Sequence, residues 1–352
     1  MLRRAAVALL VGIGLVAVAD AGVVSGATRP TCVGRESVLV SVQTGAVRCD
    51  FPDVYATAAI SDGHGGWFVG GRGRSVRIPG IAHLEGGGRL DRFWTGTMPK
   101  DQRILGGYAV VQSLALYGRR LYAAGQFGVE ALSASTGKGL WLTPIKSAPG
   151  PMVAGPFLDG ISTVAANSRA VFIDGSFATI DGVRYRDGLA ALDPDTGRPL
   201  RWRGPTAKLP SPLKQRPAPE VISSAGTLAL DGSQLLLGGA GPFEFRGKLR
   251  TGIFALNQQT GAITQWKASG IVGTSIFPTQ GGPGDSVHFA THGTTLYRYE
   301  VDGAGNAAPT VYSLTATNTK THRSLNWHPK LVSGSNGGGA VIAASAIQVF
   351  IG

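Results

Sequence analysis

Short apolar runs separated by glycine-containing turns recur along most of the chain. Four segments share one order of features: an apolar strand ending in glycine, a variable loop, a second apolar strand, a tight turn ending in glycine, and a strand ending in tryptophan. These segments are Trp67 to Trp94, Leu121 to Trp141, Val171 to Trp202 and Leu235 to Trp266. Another apolar run precedes each of them, so each unit offers four strands. Short runs of this kind, bounded by turn residues, predict β-strands.

The tight turns have a local physical explanation. In the turn from Asp193 to Gly197, proline presets φ, the aspartates can accept backbone N–H bonds, and glycine adopts the left-handed conformation that lets the hairpin return. The endings Ser135-Thr136-Gly137 and Gln259-Thr260-Gly261 keep the glycine and lack the aspartates. A hairpin needs only the glycine, whereas a metal site in the turn would need the carboxylates, so the repeat favours a hairpin.

Four-stranded units that recur at intervals of about 50 to 65 residues are typical of β-propeller blades. The sequence therefore predicts one all-β propeller of about six four-stranded blades, or seven if residues 269–284 hold another. Each closing tryptophan is expected to pack where blades stack. Two looser units, Ser286 to Leu314 and Asn326 to Gly352, follow the four clear ones.

The last unit stops without its final hairpin strand, and the missing part lies near the other end of the chain. The segment Val38 to Cys49 has the turn Gln43-Thr44-Gly45 and places Cys49 in the tryptophan position. Pairing of N-terminal and C-terminal strands would complete one blade and close the ring, which removes exposed strand edges.

The pattern A-L-D-x-x-T-G-x-x-x-x-W, from Ala191 to Trp202, resembles the repeat of the quinoprotein (pyrroloquinoline quinone-like) propeller superfamily. The longer form beginning at Phe172 resembles the delta-60-type repeats of secreted bacterial proteins. The resemblance implies the fold. It also supplies an alternative function, a quinoprotein-like oxidoreductase with its ligand in the central channel and with calcium or pyrroloquinoline quinone as cofactor. Because no catalytic constellation of such enzymes is present, neither an enzyme nor a cofactor is the first prediction.

The N-terminus predicts export. Arg3 and Arg4 precede an apolar run from Ala5 to Ala19, and small residues suited to cleavage follow. We expect residues 1–27 to be a signal peptide and residues 28–352 to form the propeller. The protein is then expected to be secreted or cell-surface associated, without a transmembrane domain after cleavage. The alternative is that the N-terminal segment is retained as a membrane anchor. In an oxidising compartment Cys32 and Cys49 are expected to form a disulfide.

The acidic stretch after Phe172 raises the question of a metal site. Asp174, Asp181 and Asp187 could bind calcium together with backbone carbonyls, since calcium takes carboxylate and carbonyl oxygens. The other interpretation is that Asp174 and Asp181 begin tight Asp-Gly turns. The sequence favours the turns, because the acids lack the dense alternation of a calcium loop and the sister units lose them.

The charge balance adds a functional indication. The chain has 33 basic and 21 acidic residues, a formal net charge of +12. Arg72, Arg74 and Arg77 fall in the variable loop of the first unit, and Lys320 and Arg323 fall in the unit that we number sixth. Positive charge gathered on blade loops attracts polyanions. The predicted function is therefore an exported binding or scaffold protein that engages an anionic cell-wall or extracellular polysaccharide, or another protein; the alternative is distributed charge with no single ligand. No reader motif indicates sequence-specific nucleic-acid binding.

Overall fold

The computed structural model describes residues 38–44, 46–48, 56–71, 80–96, 111–146, 160–184, 188–202, 204, 207–208, 227–238, 243–245, 248–250, 253–267, 287–300, 311–327, 329, 331–332 and 342–351. Strands, turns and bends make up these residues, and no helix occurs among them. The predicted signal peptide (1–27), Cys32, Cys49 and the segment 269–284 lie outside them. No helix within the described ranges is long and apolar enough to span a membrane.

The strands of the described residues are, in chain order, β1 (Val38–Ser41), β2 (Val47–Arg48), β3 (Ala56–Ser61), β4 (Trp67–Gly71), β5 (Ile81–Leu84), β6 (Val111–Tyr117), β7 (Arg120–Gly125), β8 (Gly128–Ser133), β9 (Gly139–Thr143), β10 (Ile145–Lys146), β11 (Gly160–Ala166), β12 (Val171–Ser176), β13 (Thr179–Ile180), β14 (Val183–Arg184), β15 (Leu189–Leu192), β16 (Ala207–Lys208), β17 (Thr227–Asp231), β18 (Gln234–Gly238), β19 (Phe243–Phe245), β20 (Lys248–Arg250), β21 (Ile253–Asn257), β22 (Ile263–Lys267), β23 (Val287–His292), β24 (Thr295–Glu300), β25 (Val311–Asn318), β26 (Leu331–Val332), β27 (Ile342–Ala344) and β28 (Gln348–Ile351).

Six antiparallel sheets repeat one topology, with successive strands side by side. We name them blade 1 (β3-β4-β5), blade 2 (β6-β7-β8-β9), blade 3 (β11-β12-β15), blade 4 (β17-β18-β21-β22), blade 5 (β23-β24-β25-β26) and blade 6 (β27-β28-β1-β2). In blades 1 and 3 the closing segment joins by a single bridge, Leu84 to Leu90 and Leu192 to Pro199. Two small sheets, β10-β13-β14 and β16-β19-β20, accompany the blades.

The first strands of the six blades line one central cavity. They contact one another in cyclic order, β3 with β6, β6 with β11, β11 with β17, β17 with β23, β23 with β27, and β27 with β3. Four-stranded units arranged around a common channel define a β-propeller. Within the described residues this chain is a β-propeller of six blades, as the repeat predicted.

Blade 6 combines strands from both ends of the chain. β1 pairs with β28 in the register Val38 to Ile351 and Ser41 to Gln348, and β2 forms its outer strand. The prediction that N-terminal and C-terminal strands pair is confirmed by this register.

The boundary between the fifth and sixth units differs from the prediction. The turn after β25, from Asn318 to Arg323, and Trp327 close blade 5, so Lys320 and Arg323 belong to blade 5 and not to the sixth unit. The turn was missed because His322 occupies the glycine position, with a φ of 58°. The repeat pattern therefore lost its marker there.

The cores of the propeller lie between neighbouring blades. One cluster joins Tyr122 and Val129 of blade 2 to Ile161 and Ile173 of blade 3, all essentially inaccessible to solvent. The predicted role of the closing tryptophans is confirmed, and most of them also donate the indole N–H to a main-chain carbonyl of the next blade. These bonds are Trp94 to Ala134 (2.9 Å), Trp141 to Pro194 (3.3 Å), Trp266 to Thr319 (3.2 Å) and Trp327 to Ser41 (3.0 Å).

Candidate functional site

Two tight turns of each blade lie at the same end of the ring. One connects the first and second strands, and the other follows the third strand. A main-chain bond joins the two turns in blade 2 (Ala134 N to Arg119 O, 2.9 Å), and equivalent bonds occur in blades 4, 5 and 6. We call this end of the propeller the turn face.

In blades 3, 4 and 5 the turn after the third strand is built by an Asx residue at its first position. The Oδ1 atom of Asp193 accepts hydrogen bonds from the amides of Asp195 and Thr196 and from the hydroxyl of Thr196. Burial raises the pKa of Asp193, but these bonds outweigh burial, so the pKa lies below its ordinary value. Asn257 and Asn318 accept the same two amide bonds in blades 4 and 5. Asp193 therefore has a structural role in its turn.

A basic residue follows the glycine position of this turn in four blades. Its main-chain carbonyl accepts the bond that closes the turn, and its side chain is exposed in each blade. The four are Arg89, Lys138, Arg198 and Arg323, whereas blades 4 and 6 have Ala262 and Ala46 there. The repeat thus places cations at equivalent points of the turn face.

Further cations on the turn face extend this set. Arg119, Arg169 and Lys320 are exposed in the turns of blades 2, 3 and 5. Among the described residues, two turn-face arginines are paired with carboxylates: Arg89 with Glu85 (2.7 Å) and Arg120 with Asp195. The other six turn cations, Arg119, Lys138, Arg169, Arg198, Lys320 and Arg323, make no ion pair there. Their positive charge is therefore available to a partner.

The residues predicted for anion contact fall into two groups. Lys320 and Arg323 lie on the turn face, on either side of His322, whose ring centroid is 5.8 Å from that of Trp266. Arg72, Arg74 and Arg77 lie outside the described residues. The strand ends that flank them, Gly71 and Ile81, lie at the end of blade 1 opposite its β3–β4 turn. Of the five predicted residues, the two that the structure describes therefore lie on the turn face.

The predicted calcium ligands are only partly within the described residues. Asp174 is buried within β12, opposite Leu189, so the prediction that it begins a turn is wrong for this residue. Asp181 is exposed in the β13–β14 turn of a different sheet. Asp181 and Gly182 both have positive φ, 47° and 76°, as a two-residue Asp-Gly hairpin turn requires. Asp187 lies outside the described residues. Among the described residues no group of three or more His, Cys, Asp or Glu side chains could hold a metal ion.

The central cavity has a volume of about 280 Å³ and a lining of uncharged side chains, mostly alanine, threonine, serine and aliphatic residues. Several hydroxyl groups of the lining join neighbouring blades: Thr57 donates to Val111 O, Ser113 accepts from Val164 N, and Thr163 accepts from Leu228 N. Within the described lining there is no ionisable side chain. The hydroxyls of the inner strands thus serve largely to hold the ring together.

A histidine between two aspartates in blade 1 was not found by sequence reasoning. The two ring nitrogens of His83 lie 3.0 Å from Asp62 Oδ2 and 3.0 Å from Asp91 Oδ2, and the ring stacks on Phe68 at 4.6 Å. The hydrogen bond from His83 lowers the pKa of Asp91. In Asp62 burial raises the pKa, but bonds from His83 and from the amides of His64 and Gly66 leave it lowered. Three separate elements supply this cluster, so no short motif could reveal it.

Comparisons with known proteins add little to these observations. No family model matches the chain, and no curated protein sequence matches it. Among solved structures, the crystal structure of a mitotic checkpoint complex matches with a TM-score of 0.40 and 9% identity, over 85% of this chain and 91% of that chain. Apo AztD from Citrobacter koseri matches with a TM-score of 0.31 and 11% identity, over 79% of this chain and 63% of that chain. The fold assignment rests on the strand pairing of the chain itself.

Proposed function

We propose that this protein is an exported β-propeller of the quinoprotein-like, delta-60 repeat type that binds an anionic polymer through its turn face. The observation that carries the proposal is the repeated basic position after the turn glycine, occupied by Arg89, Lys138, Arg198 and Arg323. Equivalent positions on successive blades present charge at regular intervals, which suits a polymer with repeated anionic groups. Cell-wall and extracellular polysaccharides are the partners that we expect of an exported protein.

The carboxylates on this face support the same conclusion. Asp193 is engaged by its own turn, while Asp195 and Glu85 pair with arginines. Asp193 stays ionised, but six turn cations make no ion pair among the described residues, so the acids reduce the positive charge of this face without cancelling it. Multivalent contact over several blades would give affinity that no single turn supplies.

A salt series on an acidic polysaccharide tests the proposal. We expect the full mature chain to be retained on immobilised polygalacturonate at low salt and released as salt screens the contacts. The double variant Arg198→Gln, Arg323→Gln should elute at lower salt. The control Lys146→Gln, Arg184→Gln removes two exposed cations outside the turn face and should elute nearer to wild type. Equal shifts in both variants would show that only net charge matters and would contradict a turn-face site.

The quinoprotein-like oxidoreductase is the alternative function. Its ligand would have to occupy the central cavity, whose described lining supplies hydroxyl and amide groups such as Ser162 and Gln112. Reconstitution with pyrroloquinoline quinone and calcium, followed by visible spectroscopy and dye-coupled oxidation of alcohols or sugars, tests this alternative. A spectrum of bound quinone together with reduction of the dye would favour the oxidoreductase over the binding function.

A further inference from the structure

The outer strand of blade 2 is unusually apolar for its position in the repeat. Leu140 and Leu142 flank the closing Trp141 and are 49% and 43% exposed. The residues that flank the closing tryptophan in the other blades are mostly polar: Arg201 and Arg203 in blade 3, Gln265 and Lys267 in blade 4, and Asn326 and His328 in blade 5. Blade 1 has Phe93 and Thr95. The repeat itself therefore does not require these leucines.

A buried carboxyl group lies beside the leucines. Glu130 on β8 pairs with Leu142 on β9, and it is only 8% exposed. Its Oε2 atom is buried and has no hydrogen-bond partner. Burial raises its pKa to about 7. Glu130 lies three residues before the first residue of the turn. The other blades have uncharged residues at this position: Ala82, Ala190, Phe254, Thr315 and Val38. The carboxyl group, like the leucines, is particular to blade 2.

Gly139 on β9 lies beside this carboxyl group. Gly139 is exposed, and a Cβ atom added to it would lie 3.0 Å from Glu130 Oε1. A side chain there would crowd the carboxyl group. The register then shifts, because Gly139 pairs with Leu132 and Trp141 with Ala131, which leaves Leu140 as an extra residue. A bulge of this kind re-aims the side chain that it carries.

We propose that Leu140, Leu142 and Glu130 form a docking site for a segment of another protein that brings apolar side chains to the leucines and a lysine or arginine to Glu130. Exposed leucines gain by covering apolar surface. A buried acceptor without a partner is costly, and a donor supplied by the partner relieves that cost. A cationic donor suits a carboxylate best. The site differs in place and in charge preference from the cationic turn face.

The choice of a basic partner follows from the ionisable groups around Glu130. The residues on the same face of the adjoining strands, Ala123 on β7 and Leu142 on β9, carry no charge. In blade 1, His83 is held by Asp62 and Asp91. Among the described residues none forms an ion pair with Glu130, so a cation from a partner would be its first.

Fluorescence anisotropy of labelled peptides against the full mature chain tests the docking site. The probe is a peptide of alternating leucine and arginine, and the matched probes replace arginine by glutamate or leucine by alanine. We expect the Leu–Arg peptide to bind the net-cationic protein, and Glu130→Gln to weaken binding about tenfold, the factor that corresponds to ~1.4 kcal/mol. The double variant Leu140→Gln, Leu142→Lys, which gives blade 2 the Gln-Trp-Lys of blade 4, should abolish binding.

Controls separate this site from general charge and from folding. Gln265→Ala, at the position in blade 4 that matches Leu140, should bind the Leu–Arg peptide as wild type does. All variants are compared by far-UV circular dichroism and thermal unfolding, and Leu142→Thr serves as a milder change if the double variant is unstable. Equal binding of the Leu–Arg peptide to wild type and Glu130→Gln would overturn the proposal. A second result would also overturn it: wild type binds anionic lipid vesicles but not the Leu–Arg peptide, and the leucine double variant no longer binds the vesicles. The leucines would then contact a lipid surface and not a protein segment.

Discussion

At the seams on the two sides of blade 3, the closing tryptophans make different contacts. At the seam with blade 2, the Trp141 indole and the Tyr122 hydroxyl both donate to Pro194 O, at 3.3 and 3.2 Å. At the seam with blade 4, Trp202 packs edge-on against Phe172, with 5.2 Å between ring centroids, but its buried Nε1 atom has no acceptor. The polar contact of the repeat is thus present on one side and missing on the other.

The residue at the proline position makes a different contact at the second seam. In blade 4 this residue is Gln258, whose side chain donates to Gly232 O (3.0 Å) and Gln234 O (2.8 Å) of its own blade and accepts from Asn167 of blade 3 at 2.7 Å. A side-chain amide bond replaces the indole bond at this seam. Burial of the aromatic ring is therefore the feature common to both seams, and the indole bond is an addition to it.

The largest expected effect comes from deleting the ring. We expect Trp141→Ala and Trp202→Ala each to lower the free energy of unfolding by about 3–5 kcal/mol, because both leave a large cavity between blades. Urea denaturation followed by circular dichroism measures the change. Similar losses in the two variants would agree with ring packing as the shared contribution. A much smaller loss for Trp202→Ala would show instead that the indole bond dominates.

The sequence was sufficient to predict the fold because local chemistry and the repeat agree. Turn residues such as Asp193 and Gly197 act within a few residues of themselves, and the closing tryptophans mark each blade. The one misplaced boundary, at blade 5, arose where His322 replaces the glycine. A non-glycine residue can adopt positive φ when its surroundings impose it, and that depends on tertiary contacts.

The candidate sites were less predictable because side chains from distant parts of the chain form them. Lys320 and Arg323 were identified by charge alone, but their place on the turn face follows from strand topology. Glu130 looked like any residue of an alternating strand, and its burial is known only from the structure. Arg72, Arg74 and Arg77, the Cys32–Cys49 disulfide and Asp187 stay predictions, since they involve residues outside the described ranges.

The turn glycine gives a second contrast between blades. A Cβ atom on Gly197, where φ is 72°, would lie 2.5 Å from the Trp141 ring, so Gly197→Ala adds both backbone strain and a clash. We expect a loss of about 2–3 kcal/mol. His322→Gly removes a strained residue from the same position of blade 5 and should change stability by less than about 1 kcal/mol. Thermal unfolding of both variants measures the difference. Equal losses of stability would show that the contact with the Trp141 ring is not what makes glycine necessary at position 197.

The seam between blades 1 and 2 contains a carboxyl group, Glu130, whose pKa is raised by burial. Burial raises the pKa of Glu130 from 4.5 to about 7. The folded protein therefore retains a proton that the unfolded chain has released, so stability is full below pH 4.5, falls as pH rises towards 7, and stays low above it. Glu130→Gln should be more stable than wild type at pH 8 by about 1–2 kcal/mol, and no more stable at pH 4. An unchanged pH profile of unfolding in this variant would refute the assignment.

The smallest expected effect isolates the indole bond itself. Trp141→Phe keeps an aromatic ring at the blade 2–3 seam but leaves Pro194 O with only the Tyr122 hydroxyl bond. Trp202→Phe removes an N–H group that is buried without an acceptor. Both substitutions reduce ring size by the same amount, so that loss cancels in the comparison.

The net value of a hydrogen bond is about 1 kcal/mol, and an unsatisfied buried donor costs a similar amount. Trp141→Phe should therefore destabilise the protein by at least about 1 kcal/mol more than Trp202→Phe does, as measured by urea denaturation of the two variants side by side. If Trp202→Phe proves the more damaging, the buried N–H of Trp202 must have an acceptor in solution, and the difference between the two seams disappears.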